Sequence, residues 1–409
     1  MFLLKILILI ILCSSISLSS SNTFLEKELE SKEDPNKSIH DICNENGWDY
    51  EQYTLVTKDG YILQLMRIPG ALNEEKPYKR KPAILLQHAL ECDASEWVIN
   101  SPEKAPAFNL ATAGYDVWMG NNRGNKYSLN HRTLDPNNSK DAPLYWDFSY
   151  EEMGIYDLPA EIDFILNLTN HKQLSYIGHS QGTTQFLIGL SMNYQYFKEK
   201  VNVFIALAPV ARLDNTKALF LKLMAPEKDL IKDVMINVFH YYNLFPPNWP
   251  QSALASVMCF LIKGVCEAFV SLFIDLDPSV DNFDRMTIYL YNIPSGAGYK
   301  SFLHYAQFIT SKKFQRFDYG SLMNMKIYNQ PQPPEYNLAN ILDFPIALFS
   351  GSFDLLADTT DVKWLSDNLG KNVVFNKTYK LGHMSFAIAK DMSFFQVDVM
   401  SVLCKYSTN

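Results

Sequence analysis

The chain of 409 residues lacks any apolar stretch fit to span a bilayer, which takes ~20 residues. Its longest early run, Ile6–Cys13, has eight, and every later candidate is broken by charge or proline. Cysteine is scarce, with six in the chain, and neither a paired CxxC nor an HExxH occurs, so a zinc site has no motif behind it. No Lys/Arg block stands out: 36 basic residues face 44 acidic ones, a formal charge of −8. That argues against a nucleic-acid partner and gives no reason for tight binding to acidic membranes. Internal repeats and low-complexity tracts are missing too. With 47% hydrophobic and 20% charged positions, the bulk reads as globular rather than disordered or coiled coil. A chain this long buries roughly three-quarters of its unfolded surface, so a large core needs no disulfide scaffold.

What is present begins with an address. Lys5 precedes the Ile6–Cys13 run, and small residues follow at Ser17, Ser19, Ser20 and Ser21. This is the layout of a signal peptide over residues 1–21, and it directs the chain into the secretory pathway. Removing it leaves Cys43, Cys92, Cys259, Cys266 and Cys404, an odd number, so at least one thiol stays unpaired or pairs between chains. Cys259 and Cys266 are nearest in sequence. On one continuous helix they would stand ~10 Å apart, so a bridge there needs a turn, with Gly264 lying between them. Acceptor sequons for glycosylation stand at Asn36, Asn137, Asn167 and Asn376.

Residues 22–48 are polar and charged and read as a mobile leader. Tyr53–Thr57 and Tyr61–Ile68, separated by Lys58-Asp59-Gly60, read as a hairpin. Short apolar strands then alternate with helical patterns. Strands are expected at Pro82–His88, Tyr115–Met119, Leu174–Ile177 and Val203–Leu207, with helices over Glu151–Leu168 and Thr183–Leu190. Such alternation predicts an α/β fold with a mostly parallel sheet covered on both faces. The pattern lapses after Pro209 and resumes at Phe344–Ser350, with a strand at Val373–Leu381 and a closing helix at Asp391–Cys404. The chain therefore divides into a core over 49–210, a helical insertion over 211–340 and a second core part over 341–409.

The sharpest chemical signal is Gly178-His179-Ser180-Gln181-Gly182, placed between an expected strand and an expected helix. That is the setting of a nucleophile elbow, in which a tight turn presents a serine and small residues allow close approach. A serine hydroxyl needs a base, and the base an orienting acid. Asp354 follows the Phe344–Ser350 strand directly and is favoured over Asp358 and Asp361, which lie deeper in the loop. His383 follows the next strand and is the last histidine of the chain. The oxyanion of a tetrahedral intermediate needs fixed N–H donors. Gln181, after the nucleophile, would supply one, and the Gln87-His88-Ala89-Leu90 strand exit the other. His179 reads as a packing residue.

With these motifs in place, the chain resembles the acid lipase family, the gastric and lysosomal lipases among the α/β-hydrolases. The likeness rests on YTLVTKDGYILQLMRIP (Tyr53–Pro69), LQHALECDASEWVIN (Leu86–Asn100), GYDVWMGNNRGN (Gly114–Asn125), FSYEEMGIYDLPAEIDFIL (Phe148–Leu166), GHSQGTT (Gly178–Thr184), GSFDLLAD (Gly351–Asp358) and LGHMSF (Leu381–Phe386). The resemblance implies an α/β-hydrolase fold whose inserted cap and lid, over 211–340, cover the site. It implies a cofactor-free lipase acting on neutral lipid esters at a lipid–water interface, secreted or lysosomal, and an acidic working pH. It assigns Ser180 as nucleophile, Asp354 as acid, His383 as base, and the N–H groups of Leu90 and Gln181 as oxyanion donors. It also implies a cap disulfide, here Cys259–Cys266. Two positions depart from the family pattern. Ala89 stands where a glycine is usual, and Ser385 where an acidic residue is usual. Rival readings are a short-chain esterase or acyltransferase on the same fold, or a lipid-binding homologue with impaired catalysis.

Overall fold

A computed structural model describes residues 37–244 and 275–407. The signal peptide, the acceptor Asn36 and the Cys259–Cys266 pair lie outside the described residues. Eleven strands occur among the described residues: β1 (Glu51–Val56), β2 (Tyr61–Ile68), β3 (Ala83–Gln87), β4 (Asp116–Met119), β5 (Asn130–His131), β6 (Leu174–His179), β7 (Val201–Leu207), β8 (Asn243–Leu244), β9 (Ala297–Gly298), β10 (Ile346–Gly351) and β11 (Val373–Tyr379). Nine form one sheet in the order β1-β2-β4-β3-β6-β7-β10-β11, with β5 paired to β2; β8 and β9 make a separate two-residue ladder. The six strands from β4 to β11 run parallel, and β1 and β2 join antiparallel at one edge.

Burial follows position in the sheet. Every residue of β3, β6 and β10 is buried, because helices cover both faces of the centre. Edge strands β1 and β11 show half-exposed alternation instead. The β1–β2 hairpin turns at Gly60, whose φ of +104° disfavours a side chain. Thr57 closes it by accepting the Gly60 amide at 3.0 Å.

Three expectations are corrected. The leader ends in an ordered helix, Ile39–Glu45, closed by a capping box between Ser38 and Asp41. Its Ile39, Ile42 and Cys43 are buried against the core, an i, i+3, i+4 pattern that the polar average over 22–48 conceals. The expected helix over Glu151–Leu168 is not continuous. A π-helical turn at Met153–Asp157 separates Tyr150–Glu152 from Leu158–Thr169. Here the backbones of Gly154 and Gly189 touch: a Cβ on Gly189 would come within 2.6 Å of the Gly154 carbonyl oxygen. The closing segment is likewise a π turn, Phe394–Val399, followed by Met400–Tyr406.

The described parts of 211–340 are mainly helical, with Leu219–Met224, Lys228–Lys232, Met286–Asn292, Tyr299–Ser311 and Ser321–Tyr328 as α segments. Phe308 and Phe314 nevertheless pack into the same core as the sheet. Cys43, Cys92 and Cys404 are free thiols. Asn137, Asn167 and Asn376 are all exposed. Among the described residues no helix is long and apolar enough to cross a membrane.

Candidate active site

Strand β6 runs into the helix Gln181–Met192 through Ser180, whose φ of +51° and ψ of −112° place a non-glycine residue in a costly backbone region. The turn is held because Ser180 N–H donates to the Leu207 carbonyl of β7 at 3.0 Å. Gly178 and Gly182 are small for steric rather than conformational reasons. A Cβ on Gly178 would stand 2.6 Å from Gly182 backbone, and one on Gly182 would strike the Gln87 carbonyl at the end of β3. The elbow is thus pressed directly against the strand that leads to the expected oxyanion loop.

Ser180, His383 and Asp354 meet. His383 Nε2 lies 2.7 Å from Ser180 Oγ, and its Nδ1 lies 2.8 Å from Asp354 Oδ2. The other Asp354 oxygen accepts the Leu356 and Ala357 amides, both at 2.8 Å, so the carboxylate cannot rotate freely. All three residues are buried. The competing carboxylates are engaged elsewhere. Asp358 caps the helix Thr359–Leu369 and pairs with Lys217, and Asp361 holds Arg212 and Asn215. This arrangement can move a proton from a hydroxyl to an imidazole while a carboxylate fixes the tautomer.

Gln181 directly follows the serine, and Leu90 lies in the loop that leaves β3. Gln181 opens its helix, where the first N–H groups have no intrahelical partner. The left-handed turn in the β3 exit loop falls on Glu91, with φ of +61°, and not on Ala89. The alanine therefore carries no φ > 0 strain, and its methyl packs in an apolar cluster with Cys92, Ile288, Tyr289 and Met384. His88 fixes the loop: its Nδ1 donates to the Ala89 carbonyl at 2.7 Å while Nε2 accepts the Asn122 amide at 3.1 Å. Burial lowers the His88 pKa, consistent with this neutral tautomer.

Three residues of this site escape the sequence reading, and a fourth, His179, reads there only as a packing residue. Asp275 and Asp281 come from the insertion. Asp275 accepts the N–H groups of His383 and Met384, and Asp281 accepts the Ser385 hydroxyl at 2.6 Å. Ser385 also accepts the Gly382 amide at 2.9 Å. The carboxylate absent at position 385 is thereby supplied from another segment. Burial, with the neighbouring Asp281 and Asp354 charges, pushes the Asp275 carboxyl well above its usual range, and burial pushes Asp281 to about 7. The same segment pairs Leu276 N–H with the Phe353 carbonyl at 2.7 Å and Asn282 N–H with the Ile388 carbonyl at 2.7 Å. It thus ties down both the loop that carries Asp354 and the loop that carries His383. The third and fourth residues are Glu96 and His179, which lie fully buried behind the triad. Their partners lie 83 residues apart, a distance over which no local pattern speaks. Among the described residues no group of three or more His, Cys, Asp or Glu is arranged to hold a metal.

Residues 39–101 match the family model described as the partial alpha/beta-hydrolase lipase region, and residues 82–388 the one described as the alpha/beta hydrolase fold. The chain is 36% identical over 383 residues to lipase member K of Homo sapiens, covering 93% of each chain. It is 38% identical over 348 residues to gastric triacylglycerol lipase of Bos taurus, covering 84% of this chain and 85% of that one. A tear acid lipase-like protein of Mesocricetus auratus is 35% identical over 399 residues, 95% of each chain. A crystal structure of a candidate lipase from Sulfolobus solfataricus superposes with a TM-score of 0.50 at 14% identity, covering 87% of this chain and 98% of that one, a likeness of fold alone.

Proposed function

Because the chain belongs to the α/β-hydrolase lipases, a family of carboxylic ester hydrolases, we propose that it cleaves long-chain esters of neutral lipids, triacylglycerols first and sterol esters second. The single observation that carries the catalytic assignment is the continuous Ser180–His383–Asp354 hydrogen-bond chain, at 2.7 and 2.8 Å. Ser180 Oγ attacks the ester carbonyl carbon as His383 Nε2 takes its proton. The carbonyl π electrons move to oxygen, and the N–H groups of Leu90 and Gln181 receive that oxyanion. Asp354 holds the imidazole tautomer and stabilises the imidazolium. Collapse breaks the bond to the alcohol, which leaves with the proton from His383. Water then repeats the sequence on the acyl-enzyme and frees the fatty acid.

The insertion over 211–340 serves as the cap, a role supported by the contacts of Asp275–Asn282 with both catalytic loops. The signal-peptide pattern supports a secretory-route protein that is secreted or lysosomal, and the exposure of Asn137, Asn167 and Asn376 supports their use as glycosylation sites. The test is hydrolysis of a long-chain triacylglycerol emulsion beside a short soluble ester, from pH 4 to 8. Strong turnover of the emulsion is the expected result. Turnover of the short ester alone would move the assignment to an esterase, and silence on both would remove it.

A further inference from the structure

Behind the triad lies a second histidine–carboxylate contact that the mechanism above does not use. Glu96 sits on the short 3-10 turn Ala94–Trp97, whose cap Asp93 accepts the Ser95 amide at 2.8 Å. Its side chain is wholly buried. One oxygen accepts the Ala89 N–H at 2.8 Å, and the other meets His179 Nδ1. On the far side of the ring, His179 Nε2 lies 2.9 Å from the main-chain carbonyl oxygen of His383.

Both partners of His179 are therefore acceptors. A carbonyl oxygen only accepts, so Nε2 must carry a proton. A further proton lies between Nδ1 and the Glu96 oxygen. Imidazole is the stronger base by about two pKa units in water, so that proton belongs on the ring. The titratable groups that face the pair are Cys92 and His88 from the β3 exit, Tyr289 from the insertion, Asp354 from the acid loop and His383 from the base loop, with Asp275 beyond His383. Although burial opposes it, the Glu96 carboxylate keeps the His179 pKa above its ordinary value.

From this geometry we infer that Glu96 and His179 form a buried carboxylate–imidazolium pair that positions the oxyanion backbone, the nucleophile elbow and the base loop on one another. The inference rests on the ester-hydrolase reading of Ser180. Glu96 fixes the amide immediately before the Leu90 N–H. His179 is the residue immediately before Ser180, and its other proton holds the carbonyl of the catalytic base itself. Three loops that must keep sub-ångström register during the reaction thus share one pair. A buried ion pair is a poor device for stability, since an apolar pair of similar volume does as well. What the charged pair supplies is directionality: two acceptors on one side and two donors on the other, with one geometry that satisfies all of them. Both are positioning residues, since neither touches the reacting atoms.

Glu96→Gln tests this, because the amide keeps the shape but offers one acceptor oxygen where the carboxylate offered two. On a soluble short-chain ester, kcat should fall by about tenfold to a hundredfold, less than the ~10²–10³ of losing an oxyanion donor outright, while KM stays within about threefold. The alkaline limb of the kcat profile should also move to lower pH. Without Glu96, His179 gives up its second proton earlier, and a merely structural defect would lower kcat evenly at all pH. A second measurement needs no turnover. In 15N-histidine-labelled wild-type protein, with His179 assigned by its loss in His179→Asn, both ring nitrogens should be protonated at pH 7. Wild-type kcat and pH limb in Glu96→Gln would overturn the inference, as would a His179 ring that is singly protonated at pH 7. If the wild-type protein turns over no ester at all, the hydrolase reading fails, and the ring protonation still decides the pair.

Discussion

The two halves of the catalytic centre are built differently. The nucleophile half is backbone against backbone: Gly182 lies on the Gln87 carbonyl, Gly178 on Gly182, and Ser180 N–H on the Leu207 carbonyl. The base half is a loop held by side chains, with Asp275, Asp281 and Ser385 gripping residues 382–385. The backbone contacts contain no titratable group and are themselves insensitive to pH; the Glu96–His179 pair behind them is the titratable link that joins this half to the base loop. The side-chain grip depends on buried carboxyls whose charge state is set by their surroundings. The lesson is that one site can seat its nucleophile mainly on backbone contacts that do not titrate while its base loop is held by side chains that do.

Substitutions separate the halves. The largest effect is expected for Ser180→Ala, which removes the nucleophile without disturbing packing. Ester hydrolysis should drop by ~10⁴-fold or more with an unchanged melting temperature. Activity within tenfold of wild type would sink the triad. Gly182→Ala comes next, since its Cβ meets a main-chain carbonyl that cannot rotate away. A loss of ~1–3 kcal/mol in denaturant unfolding is expected, with kcat down at least tenfold at every pH. A pH-dependent loss would contradict the comparison.

Asp281→Asn probes the other half. Burial raises the Asp281 carboxyl from 3.8 unfolded to about 7 folded. Protonation is thus favoured by the fold. Its stabilising contribution is complete below about pH 4 and is given up as pH climbs through 7. Unfolding free energies measured between pH 4 and 7 should therefore decline less steeply in Asp281→Asn, by up to about one proton of linkage. An identical slope in both proteins would remove Asp281 from the account. The smallest effect belongs to Ala89→Gly. Because the φ > 0 turn is at Glu91, restoring a glycine relieves no strain there, and kcat should change by less than about threefold, chiefly through backbone entropy. A gain of tenfold or more would show that Ala89 holds the Leu90 N–H out of place.

Much of this architecture was legible in one dimension. Strand–helix alternation announces the parallel sheet, and the GHSQG string sits at a strand–helix junction. Asp354 follows the buried β10 and His383 the half-exposed edge strand β11, and because the two strands run parallel both residues emerge at the same edge of the sheet. The placement of these residues is legible because it depends on local spacing and on the direction of a strand. The leader helix was missed because an average over a polar stretch hides three apolar residues at helical spacing. The π turn at Met153–Asp157 was missed because the backbone it packs against, at Gly189, lies on another helix.

The chain order and chemistry of Ser180, Asp354 and His383 were thus set by residue type, register and strand direction, all of them local properties. The folded arrangement alone decided which carboxylates support them. Asp275 reaches His383 across 108 residues, Glu96 reaches His179 across 83, and His179 reaches the His383 carbonyl across 204. A buried polar group must find its partner wherever the packing puts one. That partner is chosen by three-dimensional proximity and desolvation, quantities that carry no period along the chain.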